Sequence, residues 1–183
     1  MFELAGRELA AARMILDIGC GTGWWLERLA ADERVTASLH GIEILDNRAE
    51  SARQRVPHAS ISVADACELP YDDRSFDVVT MFTVLSSCGS RNQLAAMLRE
   101  ARRVTSSHGA MLVWEPRLPN PLNRNTVLVD PRPRPRDWTR VRSRTTTVLP
   151  PLARRLGRRT DQLYPLLAGI PLLRTHRLTC VWI

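Results

Sequence analysis

The sequence predicts an α/β fold built on a doubly wound, mainly parallel sheet. An apolar run from Met14 to Ile18 ends in three glycines at alternate positions, Gly19, Gly21 and Gly23, and a helical pattern begins at Trp24. Beyond it, short apolar runs alternate with amphipathic stretches along the chain. A strand that breaks into glycines and reopens as a helix is the first βα turn of such sheets, where ligands bind at the carboxyl ends of the strands.

Hydrophobic periodicity predicts the remaining elements in order. The first helix is predicted at 2–12, the first strand at 14–18 and the second helix at 23–31. Asp46 is a candidate N-cap for a polar helix after the second strand. Strands are predicted at 37–44, 60–64, 76–83, 110–114, 140–148 and 174–183, helices at 91–104, 152–156 and 163–168, and a turn at 106–109.

The spacing of the glycines narrows the class of ligand. The nicotinamide and flavin fingerprint needs a small third residue for close packing of helix against strand, and here that position holds Trp24. The order Asp17-x-Gly19-x-Gly21-x-Gly23 instead resembles motif I of the class I S-adenosylmethionine-dependent methyltransferases. In that family the loop cradles the amino acid end and the ribose of the cofactor.

Three further motifs extend the resemblance over residues 14–85. Glu43 ends the second strand twenty residues past Gly23, where an acid is placed to bind ribose hydroxyls; the alternative is a solvated strand end. The run ISVADA, which contains Asp65, resembles the family's adenine site, and LPYDDRSFDVV resembles its turn and fourth strand. The resemblance implies a Rossmann-like sheet of seven strands with the last antiparallel, and S-adenosyl-L-methionine as cofactor. It assigns the cofactor site to Asp17, Gly19, Cys20, Gly21, Gly23, Trp24, Glu43, Ile44, Asp65, Ala66 and Phe82.

Length and charge indicate one domain, 1–183, with two unequal halves. Residues 1–116 carry 12 Arg against 16 acidic residues, and residues 117–183 carry 14 Arg against 3. We interpret the first half as cofactor-binding and the second, basic half as the substrate side. The basic half is compatible with an acidic partner such as nucleic acid or a phosphorylated substrate, and also with a merely solvated basic face.

Composition also indicates where the protein acts. Every basic residue is Arg, which is typical of GC-rich, bacterial genomes. The sequence has neither an apolar run of about 18 residues nor the pattern of a signal peptide, and its four cysteines are too scattered for a zinc site or a disulfide framework. We therefore expect a cytoplasmic protein that neither spans a membrane nor binds a metal.

The methyl group of a sulfonium cofactor is already activated, so the protein mainly aligns an acceptor and excludes water. An oxygen acceptor can also need a base. Glu115 follows the fifth strand at the ligand edge, and His176 reaches that edge if the last strand is antiparallel; a site without a side-chain base is the alternative.

We expect Asn120, Asn123 and Arg124, in the proline-rich loop 116–137, to face the cleft and bind a polar or anionic substrate.

Two functions remain open. The first is methylation of a small metabolite, most plausibly at oxygen, in a biosynthetic pathway. The second is RNA binding or modification by the Arg-rich third, although Trp138, Tyr164 and Trp182 lie too far apart to form a stacking platform. Only 13 residues precede Met14, so the pocket is expected to be open, completed by the loop 116–137, or closed by another subunit of a homodimer; the remaining alternative is a truncated, inactive protein.

Overall fold

A seven-stranded mixed sheet is the framework of the molecule. A computed structural model of the chain describes residues 2–118, 139–148, 170 and 174–183. The strand order is β3-β2-β1-β4-β5-β7-β6. The strands are β1 Met14–Ile18, β2 Ser38–Glu43, β3 Ser60–Val63, β4 Phe76–Phe82, β5 Thr105–Pro116, β6 Arg140–Val148 and β7 Arg174–Trp182. The helices are α1 Phe2–Ala11, α2 Trp24–Ala30, α3 Asp46–Arg55 and α4 Arg91–Val104, with a short 3-10 helix at Leu85–Ser87.

The directions of the strands confirm the predicted fold class. β1 pairs in parallel with β2 and β4, β2 with β3, and β4 with β5. The last strand, β7, runs antiparallel to both β5 and β6. The strand order reverses between β1 and β4, and in open α/β sheets this switch point is where the ligand crevice lies.

Helices pack on both faces of the sheet because its strands carry apolar side chains on both sides. Ile15 packs in one core cluster with Leu9 and Leu26 from α1 and α2. Its neighbour Leu16 packs in the other cluster with Met97 of α4. Successive residues of a strand point to opposite faces, so the two clusters lie on the two sides of the sheet and hold it as the middle layer.

Two local predictions were wrong. Asp46 is the first residue of α3 rather than its N-cap; Leu45 occupies the N-cap position in an extended conformation. The predicted turn at 106–109 lies inside β5, where the register shifts between the Phe76–Thr105 and Val78–Ala110 pairs. The extra residues are accommodated as an irregularity of the strand, with the backbone of Gly109 so close to Asp77 that an added Cβ would lie 2.8 Å from its carbonyl oxygen.

The short 3-10 helix had no counterpart in the sequence prediction. The predicted helices at 152–156 and 163–168, and nearly all of the loop 116–137, lie outside the described residues. Within the described part of the chain, no helix is long and apolar enough to cross a membrane.

Candidate functional site

A cavity of about 550 Å³ lies beside the carboxyl ends of β1, β2 and β4, at the switch point of the sheet. Its volume falls in the range of small-molecule sites. The structure brings together around it all of the predicted cofactor residues except Gly23. Those that line the cavity are Asp17, Gly19, Cys20, Gly21, Trp24, Glu43, Ile44, Asp65, Ala66 and Phe82.

The glycine loop turns through left-handed backbone conformations that favour glycine. At Gly19 φ is +69°, and an added Cβ would lie 2.6 Å from Cγ2 of Val84. At Gly21 φ is +57°, and an added Cβ would meet no atom within 4 Å. Gly19 therefore allows the loop to pack against the segment after β4, whereas Gly21 leaves its backbone open to a ligand in the cavity.

Gly23 has a different role from the other two glycines. It does not line the cavity, and an added Cβ would lie 3.1 Å from the Cα and Cβ of Ala52 in α3. It also occupies the N-cap position of α2. Gly23 thus permits close packing of the start of α2 against α3.

Glu43 connects the end of β2 to the glycine loop. The residue is 6% exposed; Oε2 accepts a hydrogen bond from the Gly21 N–H at 3.0 Å, and Oε1 accepts one from the Leu45 N–H at 3.0 Å. A carboxylate oxygen accepts more than one hydrogen bond, so both oxygens keep capacity for a ligand. Glu43 is therefore a buried carboxylate in the cavity wall rather than a solvated strand end.

Asp17 is a second buried carboxyl at the cavity. It is 2% exposed, and the Thr80 hydroxyl donates to its Oδ1 at 2.6 Å. Burial, and to a smaller extent the charge of Glu43, raise the pKa of Asp17 to about 7, while the hydrogen bond from Thr80 acts in the opposite direction. The buried carboxyl therefore keeps its proton to a much higher pH than an exposed Asp, and a cation placed beside it favours the charged form.

Another part of the cavity lining combines the acid Asp65 with two exposed apolar side chains, Ile44 and Trp24. Asp65 Oδ1 accepts from the Cys67 N–H at 2.8 Å, which fixes the turn after β3. Ile44 is 62% exposed and Trp24 is 47% exposed although both line the cavity, and the Arg28 guanidinium lies 4.7 Å from the Trp24 ring centroid. Large apolar side chains on a cavity rim suit a flat, partly apolar group such as a purine.

These features fit the cofactor that the motifs imply. Three carboxyl groups and one guanidinium, from Asp17, Glu43, Asp65 and Arg48, line this end, so it favours a positively charged ligand. Gly21 leaves room where a Cβ would intrude on that ligand. The donor set is therefore compatible with a sulfonium-containing nucleoside.

The two candidate bases lie outside the cavity lining. Glu115 is 2% exposed, and its oxygens accept from the N–H groups of Leu85 at 2.8 Å and Ser86 at 3.2 Å. This arrangement favours a structural role, and burial raises the pKa of the carboxyl. The His176 ring stacks on Trp114 with centroids 4.3 Å apart, and its Nδ1 lies 2.9 Å from the Thr175 hydroxyl. A catalytic role for either residue stays a prediction.

The predicted substrate residues Asn120, Asn123 and Arg124 lie outside the described residues. Their place at the mouth of the cleft therefore stays a prediction as well.

Sequence reasoning missed the cavity residues that follow β4 and end β5, among them Trp114 and Thr83. Both line the cavity. Thr83 has φ +56°, its N–H donates to the Trp114 carbonyl at 2.8 Å, and its hydroxyl donates to the Phe82 carbonyl at 2.7 Å. Trp114 could have been predicted, because the last residues of a parallel strand lie at the ligand edge of the sheet. Thr83 could not, because no sequence pattern predicts a left-handed conformation for a β-branched residue.

Comparisons with known proteins agree with this geometry. A family model described as "Methyltransferase domain" matches residues 16–113, more than half of the chain. The 2-phytyl-1,4-naphtoquinone methyltransferase of Trichormus variabilis is 29% identical over 157 residues, which cover 81% of this chain and 61% of that protein. The 27-O-demethylrifamycin SV methyltransferase of Amycolatopsis mediterranei is 35% identical over 120 residues, 62% of this chain and 42% of that protein. The chain thus spans less than two thirds of the length of these relatives.

A solved structure has a similar fold. The S-adenosylmethionine-dependent methyltransferase from Archaeoglobus fulgidus superposes with a TM-score of 0.69 over 100% of this chain and 91% of that one, at 15% identity. At that identity the likeness concerns the fold alone. The family match and the fold lead to one conclusion: the chain belongs to the methyltransferase domain family and has the class I fold of S-adenosylmethionine-dependent methyltransferases.

Proposed function

We propose that this protein binds S-adenosylmethionine in the 550 Å³ cavity and transfers its methyl group to an oxygen of a small metabolite in a biosynthetic pathway. The observation that carries the proposal is the bond from the Gly21 N–H to Glu43, which joins the open glycine turn to a buried acid at the switch point. Two relatives, a naphthoquinone methyltransferase and a rifamycin methyltransferase, support a small-molecule acceptor.

The cofactor residues divide by chemistry. Asp17 would hold the cationic amino acid end, with Gly19, Cys20 and Gly21 as the backbone around it. Glu43 would accept from the ribose hydroxyls with charge-assisted bonds. Asp65 and Ala66 would recognise the adenine, Ile44 and Trp24 would pack against it, Phe82 would separate it from the acceptor, and Gly23 would position α2.

When bound, S-adenosylmethionine supplies an activated methyl group on a sulfonium sulfur. The chain would align the acceptor oxygen with that methyl group; transfer would leave the methylated acceptor, S-adenosylhomocysteine and the hydroxyl proton. Because neither Glu115 nor His176 lines the cavity, we favour loss of this proton to water. Phe82 and Trp114 then contribute by enclosing the reacting atoms and excluding bulk solvent.

The rest of the chain completes the proposal. We assign the substrate side to residues 117–183, with Asn120, Asn123 and Arg124 at the mouth of the cleft. A second copy of the chain in a homodimer is the alternative means of closing it. The bacterial cytoplasm is the compartment we propose for this reaction.

Product analysis tests the function directly. The chain is incubated with S-adenosylmethionine and a panel of small phenols, alcohols and amines, and both S-adenosylhomocysteine and methylated products are measured by mass spectrometry. We expect methylated hydroxyl compounds in amounts equal to S-adenosylhomocysteine, and less of both with Glu43→Ala when S-adenosylmethionine is limiting. Methylation confined to amines would contradict the choice of oxygen, and binding of NAD with no turnover would contradict the proposal as a whole.

RNA binding remains the second candidate because of the edge strand. Arg140, Arg142 and Arg144 alternate along β6, so they lie on one face, and all three are exposed. A regular row of guanidinium groups suits a phosphate backbone. Elution of the protein together with nucleic acid at low salt, lost at high salt, would favour this candidate, and elution free of nucleic acid would favour the metabolite.

A further inference from the structure

The cavity is charged at one end only. In the described part of the chain, its charged lining residues come from β1, the end of β2, α3 and the turn after β3: Asp17, Glu43, Arg48 and Asp65. Its lining residues from the end of β4, the segment after it and β5 carry no charge: Phe82, Thr83, Val84, Ser87 and Trp114. If the cofactor takes the charged end, the acceptor meets an uncharged wall.

Two residues of that wall are aromatic, and a third ring, Trp25 of α2, packs against them. The Trp25 and Phe82 rings lie 4.9 Å apart between centroids, and Phe82 and Trp114 lie 6.1 Å apart in an edge-to-face arrangement. All three residues line the cavity. We call Trp25, Phe82 and Trp114 the aromatic wall. Its three residues come from α2, β4 and β5.

Residues outside the cavity lining hold the Trp114 side chain in place. The His176 ring stacks on it with centroids 4.3 Å apart and planes 14° apart, and the indole N–H donates to the Thr146 hydroxyl at 2.9 Å. Burial lowers the pKa of His176, so the stacked imidazole is neutral at neutral pH. A ring fixed from behind loses little side-chain freedom when a ligand packs against it.

We propose that the methyl acceptor is a planar aromatic hydroxyl compound that packs against Trp114 in the aromatic wall. This inference rests on the proposed function and narrows its substrate class. Aromatic rings attract each other in stacked and edge-to-face arrangements beyond their apolar area, so the wall selects flat aromatic rings over saturated rings of similar size. The neutral lining selects against acceptors that carry a charge on the ring that enters.

Two matched probes test the selectivity. The full chain, saturated with S-adenosylhomocysteine, is titrated with 2-naphthol and with decahydro-2-naphthol, its saturated and non-planar counterpart, by calorimetry. We expect 2-naphthol to bind about tenfold more tightly, the order of one to two aromatic contacts. Trp114→Ala removes this preference and Trp114→Phe retains most of it.

Three further variants separate the packing of the rings from other effects. Trp182→Phe changes a tryptophan of the same sheet that lines a different, smaller cavity, and it leaves the preference unchanged. His176→Phe preserves a stacked ring without an imidazole and also leaves it unchanged, whereas His176→Ala reduces it. Equal binding of the two probes, or a preference that survives Trp114→Ala, would overturn the inference while the function stands. Failure of S-adenosylhomocysteine itself to bind would overturn the proposed function and the inference with it.

Discussion

The charge in the cavity depends on pH because the fold buries the carboxyl group of Asp17 there. Its pKa of about 7, against an ordinary value of 3.8, means that near pH 5 the folded chain holds a proton that the unfolded chain has lost. The stabilising effect of this difference is complete below the ordinary value and disappears as pH rises through about 7. A cation in the cavity reverses the balance, since it favours the charged carboxylate.

We therefore predict that cofactor affinity depends on pH through Asp17. Below pH 7 the cationic ligand must displace a proton, so its affinity rises from pH 5.5 to pH 7.5, by about tenfold for each unit below the pKa. Calorimetry at several pH values, in buffers of different ionisation enthalpy, measures the affinity and the released proton together. In Asp17→Asn, whose side chain does not titrate, the slope should vanish; a slope equal to that of the wild type would exclude Asp17 as its source.

Glu43 should contribute to affinity through charge-assisted hydrogen bonds, each of about 1.5–3 kcal/mol. We predict that Glu43→Ala weakens cofactor binding at least tenfold and leaves the domain folded, as judged by circular dichroism and titration calorimetry. Glu50→Ala is the matched control, because Glu50 is an exposed acid of α3 that pairs with Arg53. Unchanged affinity in the Glu43 variant would mean that this acid only holds the loop.

For individual residues, the sequence predicted which ones would lie close together, but not which hydrogen bonds they would form. Asp17, Gly21 and Glu43 follow from motif spacing because the carboxyl ends of adjacent parallel strands share one edge. The bond from the Gly21 N–H to Glu43 depends on loop torsions that no spacing encodes. Thr83 escaped prediction for the same reason, since its left-handed conformation arises from the packing of β4 against β5.

Among the elements, the 3-10 helix at Leu85–Ser87 depends on one buried side chain. Glu115, at the end of β5, accepts from the N–H groups of Leu85 and Ser86. These donors begin the short helix, and a negative charge near them is favourable. Glu115 therefore has a structural role in binding the start of this helix. Its position in the sequence did not reveal that role, because Leu85 is thirty residues away.

We predict that Glu115→Gln acts on stability more than on binding. The amide keeps one acceptor oxygen and turns an N–H group towards a donor, so the free energy of unfolding should fall by about 1–3 kcal/mol. Urea denaturation measures this change, with Glu68→Gln, an exposed acid, as the control. Full stability combined with loss of methyl transfer would instead identify Glu115 as the base.

Element boundaries were predictable where periodicity was strong. The helix Arg91–Val104 has the predicted bounds because its apolar residues recur at helical spacing and Ser90 caps it, accepting from the Gln93 N–H. The β5 irregularity was not predictable, because Ser106, Ser107 and Gly109 are typical of a turn. Pairing with β4 and β7 keeps this segment in the strand.

For the whole molecule, the parallel part of the sheet followed from the alternation of strands and helices. The direction of β7 did not, because a period of two residues is the same in either direction; it came from the family resemblance. The topology then fixes the site, since the reversal of strand order between β1 and β4 opens the crevice that the glycine loop and the acids surround.

Titration calorimetry of the full chain decides whether this crevice holds S-adenosylmethionine. We predict that S-adenosylmethionine and S-adenosylhomocysteine each bind at one site with micromolar affinity, roughly −8 kcal/mol. NAD should produce no heat of binding, because Trp24 stands where its fingerprint requires a small residue. Binding of NAD without heat from either sulfur compound would contradict the account.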